Sequence, residues 1–132
     1  MKLEVGMFIR TPLGIDKIIK KREMTVTGET CYLFYLEQGH NLFYTPSSYF
    51  SIDSECYDVE EIKARHNIID LIEEGDYVNR YPVYEIIEYE DNTRAIVIGD
   101  DNKSIIWEES SQYIKSIVTK EQFEEMSYKV GE

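Results

Sequence analysis

The chain has 132 residues, of which 42% are hydrophobic and 13% aromatic, enough apolar material for one ordinary domain or two very small ones and too much for a disordered chain. The net charge is −12, and it is not spread evenly. Residues 1–53 carry six basic and six acidic side chains, so the whole excess lies after residue 53. An acidic half of this kind repels nucleic acid and anionic membranes and favours basic partners, although acid on a small protein also simply keeps it soluble.

Eleven tyrosines, with many Ile and Val, favour strands over helices. Leu3 to Arg10 reads as a turn at Gly6 followed by a strand. Thr11-Pro12-Leu13-Gly14 is a turn, and Ile15 to Arg22 a second strand that ends in Lys17, Lys20, Lys21 and Arg22. Thr25 to Glu29 is a polar turn. Cys31 to Leu36 is a central strand, Gln38 to Asn41 a turn and Leu42 to Tyr44 the next strand, broken at Pro46. From Ser51 to Glu61 the pattern is hardest to read: Asp58 to Glu61 suits a capping box, and Glu61 to Arg65 equally suits a closing strand.

Asn67 then caps a short helix that Gly75 stops. Asp76 to Asn79 is a strand, Arg80 to Pro82 a turn and Val83 to Tyr89 a strand. Glu90 to Thr93 is a turn, Arg94 to Ile98 a strand, 99–102 a turn and Lys103 to Trp107 a strand. Tyr113 to Val118 is the fifth. Thr119 to Gln122 is a capping box opening a helix through Met126, and Tyr128 to Val130 a final strand.

Two alignments point to an internal duplication. Val5 to Ile9 matches Glu74 to Val78 at an offset of 69, while Ile62-Lys63-Ala64 matches Ile114-Lys115-Ser116 and Asn67 matches Thr119 at an offset of 52. The first copy is therefore 17 residues longer, with the excess between Lys20 and Glu60. Chance likeness between two small β modules is the competing explanation. The expected fold is mainly β with short helices (α+β): two tandem small SH3-like β-barrel modules, 1–73 and an acidic 74–132.

Nothing in the chain carries a catalytic signature, and an enzyme is not expected. His40 and His66 have no partners at metal-ligand spacing, and Ser47 and Ser48 lack a nucleophile-elbow setting. Neither a cofactor nor a metal is implied. Cys31 and Cys56 read as reduced thiols of a cytoplasmic protein, with a disulfide between them as the alternative. No signal peptide and no bilayer-spanning run is expected.

The carboxylates give a sharper expectation. In an up-and-down meander, the starts of odd strands and the ends of even strands share one end of the sheet. Glu73, Glu74, Asp76, Glu90, Asp91, Glu108 and Glu109 would then crowd one pole, while the opposite end holds Arg80, Asp100, Asp101 and Lys103. Trp107 sits at a strand end beside that pole. It heads an aromatic set with Tyr77, Tyr81, Tyr84, Tyr89 and Tyr113, which suits either a peptide groove or ordinary cross-strand packing.

Lys2 to Met7, Asn67 to Glu73 with Gly75 to Asn79, and Ile114 to Phe123 together resemble small proteins of Firmicute phages and prophages, over about a third of the chain. Where that group has Val and Gly, this chain has Glu74 and Arg80. The resemblance implies a phage-encoded protein acting in the bacterial cytoplasm, and hence an inhibitor of host machinery of the anti-CRISPR kind. Such a protein would dock acid on the basic surface of a CRISPR effector or another nucleic-acid-binding complex, without touching nucleic acid itself. A peptide-binding SH3-like adaptor and a structural phage component are the alternatives.

Overall fold

The computed structural model describes residues 2–99 and 103–124. The chain is mainly β, with two antiparallel sheets and short 3-10 turns. It divides into two compact units: Met1–Thr11 with Asp16–His66, and Pro12–Ile15 with Asn67–Glu132. Residues 67–73 therefore go with the second unit, not with the first as the sequence suggested. The reason is a cation: Arg94 donates to the carbonyls of Ile69 and Ile72, both at 3.0 Å, and holds this segment on the second sheet.

The first sheet contains β1 (Phe8–Thr11), β2 (Gly14–Val26), β3 (Glu29–Leu36), β4 (Asn41–Tyr44), β5 (Tyr49–Ile52), β6 (Glu55–Asp58) and β7 (Lys63–Arg65), in the order β6-β5-β4-β3-β2-β1-β7. Strand alternation places Phe34, Leu42, Tyr44, Phe50 and Ile52 in one buried cluster with Ile9, Ile18 and Ile62. Truncating such a side chain to Ala costs about 2–5 kcal/mol. The 3-10 turn η1 (Val59–Glu61) precedes β7, and the Glu61 carboxylate accepts the Asp58 N–H at 3.0 Å, one arm of the expected capping box. Capping turn and closing strand are thus both present.

Of the residues that were hardest to read, 51–58 lie in the β5–β6 hairpin and 59–61 in η1. The hairpin's turn, Asp53-Ser54, holds both residues at positive φ without a glycine, so the usual hairpin signal is missing. The hairpin is an addition relative to the second sheet and accounts for much of the greater length of the first copy. The β2–β3 hairpin also runs further than expected, to Val26 and Glu29, leaving only Thr27-Gly28 as its turn. Cys31 is buried, Cys56 is exposed, and both are free thiols; there is no disulfide between them.

The second sheet contains β8 (Tyr77–Val78), β9 (Tyr81–Glu88), β10 (Arg94–Ile98), β11 (Ser104–Trp107) and β12 (Ile117–Val118), in the order β11-β10-β9-β8-β12. In both sheets the first strand lies between the second and the last, and a 3-10 turn stands before the last. Here that turn is η3 (Glu108–Tyr113), and the strand expected over Tyr113 to Val118 is confined to β12, Ile117–Val118.

The turn before β9 is Asn79-Arg80, not Arg80 to Pro82; Pro82 lies in β9 opposite Tyr77. Asn79 fixes it there. Its amide donates to the Tyr113 carbonyl at 2.8 Å, and its carbonyl oxygen accepts the N–H groups of Lys115 (2.7 Å) and Ser116 (3.1 Å).

Asn67 precedes the 3-10 turn η2 (Ile68–Leu71) but makes no side-chain cap, and the turn ends at Ile72, before Gly75. The second expected capping box forms in full: Thr119 N–H donates to Gln122 Oε1 at 2.9 Å, and Gln122 N–H to Thr119 Oγ1 at 3.3 Å. A helical turn over 120–124 follows. Its continuation to Met126 and the strand expected at Tyr128 to Val130 lie outside the described residues.

The strand registers of the two sheets follow the offsets of the sequence alignment closely. Pairing of Ile9 with Ala64 and of Val78 with Ile117 sets the closing strands at an offset of 53, one more than the 52 of the sequence match. The turn ends, Ile62 and Ile114, keep the 52. One additional residue thus lies between turn and closing strand in the second copy.

Candidate acidic and aromatic binding face

β9, β10 and β11 form a meander. Glu88 pairs with Arg94, and Ala95 pairs with both Ile87 and Trp107, so the end of β9, the start of β10 and the end of β11 share one end of the sheet. Glu90, Asp91, Trp107, Glu108 and Glu109 are brought together there. The β9–β10 turn is tight: Tyr89 N–H donates to Thr93 O and Asn92 N–H to Tyr89 O, each at 3.0 Å. Asp91 accepts the Thr93 hydroxyl at 2.6 Å and the Thr93 N–H at 3.1 Å. These bonds, the hydroxyl first, hold the Asp91 carboxyl below the usual carboxylate range.

Alternation then sorts the side chains. Ile96, Ile98 and Ile106 turn inward and are buried. Ile87, Ile105 and Trp107 turn to the opposite face. Trp107 stacks on Tyr89 with ring centroids 5.6 Å apart and planes 22° apart, and the two remain 42% and 38% exposed, with Ile105 at 47%. An aromatic pair this open, beside carboxylates, combines the apolar centre and charged rim of a protein interface. The sequence had offered the acidic pole and the aromatic set as competing sites, and the fold places part of each on one surface. Ile87 and Ile105 were not singled out from sequence. The signal available was the pattern Glu85-Ile86-Ile87-Glu88, whose two isoleucines cannot both face inward in a strand.

The other three carboxylates lie elsewhere. β8 is two residues long, and Gly75 N–H bonds the Val83 carbonyl, so the approach to β8 meets β9 five residues before Glu88, roughly 16 Å short of the tip. Glu73 is ion-paired with Lys120 at 2.8 Å, and Glu74 is exposed. Asp76 is 0% exposed and cannot meet a partner. Its Oδ2 accepts the Glu73 N–H at 2.7 Å and its Oδ1 the Lys120 N–H at 2.9 Å, which fastens a turn to the start of the 120–124 helical turn. Glu108 accepts a hydrogen bond from the Asn67 side chain, and Glu90 and Glu109 are exposed.

No family model matches the chain, and no curated protein or solved structure does so. Among the described residues, no three His, Cys, Asp or Glu side chains converge on a point where a metal ion could sit. His40 instead faces Asp53 at 3.0 Å, linking two turns of the first sheet. Among the described residues no helix is long and apolar enough to cross a membrane.

Proposed function

We propose that the chain is a non-enzymatic binding protein that docks the acidic and aromatic end of its second sheet on a basic protein surface. The observation that carries this reading is the exposed Tyr89–Trp107 stack lying at the same sheet end as Glu90, Asp91, Glu108 and Glu109. Aromatic side chains supply contact area at low entropic cost, and neighbouring carboxylates supply attraction and orientation. SH3-like barrels are our reading of the two units. The strand order, first strand between second and last with a 3-10 turn before the last, supports it. The resemblance to phage proteins makes a host nucleic-acid-binding defence complex, in the manner of an anti-CRISPR protein, the partner we favour.

Capture from host lysate at about 50 and about 500 mM salt, with and without competing DNA, tests this. A basic complex should be retained at low salt, released at high salt and displaced by DNA. Reversal of Glu90, Asp91, Glu108 and Glu109 to Lys should weaken capture at least about a hundredfold, and Trp107→Ala about tenfold or more. Capture indifferent to both salt and charge reversal rules the reading out. If Trp107→Ala abolishes binding while the reversals do little, the chain is an aromatic-groove peptide binder instead.

A further inference from the structure

We infer that the partner adds an extended strand, antiparallel, to the outer edge of β11. The inference deepens the reading above and rests on it. In an antiparallel sheet the main-chain groups of successive residues point alternately to one neighbour and the other. The Tyr89 N–H bonds Thr93 O, so Thr93 faces β9, and by alternation Ala95 and Val97 do as well. Arg94, Ile96 and Ile98 then face β11, where Ile96 and Ile98 bond Ile106 and Ser104. Ile105 and Trp107 are left with their main chain directed away from β10.

Among the described residues β11 is the last strand of the sheet order, so that direction is a free edge. The Ile105 N–H and C=O and the Trp107 N–H line it; the Trp107 carbonyl, at the N-cap of η3, opens that turn. Open edges are normally blunted by charge, proline, a bulge or brevity. The other described sheet edges follow this rule: β6 carries Glu55 and Asp58, β7 carries Lys63 and Arg65, and β12 is two residues long. β11 has no proline and no charge, its pairing with β10 runs without a register shift, and two of its four side chains are large, apolar and exposed.

The chemistry of the occupant follows. Residues opposite Ile105 and Trp107 share their face, so they are apolar. Residues next to Glu108, Glu109 and the Glu90-Asp91 turn are Lys or Arg. A segment of alternating apolar and basic residues meets both demands, through main-chain hydrogen bonds that do not depend on side-chain identity.

The probe is a peptide of about eight residues alternating valine and lysine, titrated into the full chain and followed by Trp107 fluorescence and amide hydrogen exchange. The peptide should bind saturably and slow exchange at the Ile105 and Trp107 amides. N-methylation of its valines, whose main chain would face β11, should weaken binding at least about tenfold, whereas N-methylation of its lysines should change it little. Ile105→Pro, which removes an outward N–H at a position where an edge strand tolerates proline, should match the valine-methylated loss. If charge reversal abolishes binding but both methylated peptides bind like the parent, strand addition is wrong and the docking face stands. If the parent peptide does not bind, both fall. Concentration-dependent dimerisation in light scattering, blocked by Ile105→Pro, would mean that β11 pairs with a second copy, which also overturns the inference.

Discussion

The turns that open the two sheets share one backbone and differ in what fastens them. In the first, Met7 N–H donates to Glu4 O at 3.2 Å, Gly6 sits at φ 95°, Gly6 N–H donates to Ile18 O at 2.8 Å, and Ile18 N–H donates to Met7 O at 2.9 Å. In the second, Asp76 N–H donates to Glu73 O at 3.1 Å, Gly75 sits at φ 93°, and Val83 takes the place of Ile18. Both glycines hold a left-handed conformation that an L side chain resists. The residue after the glycine diverges. Met7 enters the apolar cluster, whereas Asp76, equally inward, carries a carboxylate bonded on both oxygens. One position thus tolerates either a hydrophobic anchor or a buried acid, provided that the acid meets main-chain donors.

Exchanging the two residues is the most severe way to break this comparison. Met7→Asp buries a carboxylate among Leu3, Ile9 and Ile18, and should cost about 4 kcal/mol or more in urea unfolding. Asp76→Met leaves the N–H groups of Glu73 and Lys120 without their acceptor and should cost about 3 kcal/mol. If Asp76→Met were neutral, the carboxylate would be incidental and the two turns equivalent.

The same comparison shows how much the sequence could disclose. The repeated Val-Gly and Glu-Gly turns, the two capping boxes and the meander that gathers Glu90, Asp91, Trp107, Glu108 and Glu109 all follow from local spacing, and local spacing is legible. Asp76 was misplaced because nothing local distinguishes a buried Asp from its neighbours Glu73, half-buried, and Glu74, exposed. Its acceptor role depends on the Lys120 N–H, 44 residues away. Asp53-Ser54 and Asn79-Arg80 were missed because each turns at positive φ without glycine, and Asn79 is held there by residues 113–116. Strand lengths decided the rest: a two-residue β8 separates Glu73 and Glu74 from the tip that a full-length strand would have reached.

A gentler probe uses an ionisable group buried in the first sheet. Tyr44 is buried among Phe34, Leu42 and Phe50, and burial pushes its phenol pKa up. A folded-state pKa above the unfolded one gives stability that is complete below the unfolded value, about 10, and is lost as pH rises through the folded value. Unfolding midpoints should therefore fall in strongly alkaline buffer. Tyr44→Phe should cost under about 1 kcal/mol at neutral pH and lose less stability in alkali than the parent. An alkaline loss unchanged in Tyr44→Phe would assign the effect to other groups.

The smallest expected effect separates buried from surface charge within the second turn itself. Glu73 and Lys120 flank Asp76 and pair at 2.8 Å, but both side chains remain about a third or more in solvent. Glu73→Gln should thus cost no more than about 1 kcal/mol, and about 1 M salt should erase the difference from the parent. The cost of Asp76→Met should persist at the same salt, because its partners are main-chain N–H groups that ions in solution do not screen when the carboxylate is buried. Equal salt sensitivity in the two variants would show that Asp76 acts through the exposed pair. The second turn would then be held by surface electrostatics, in contrast to the apolar anchoring of the first.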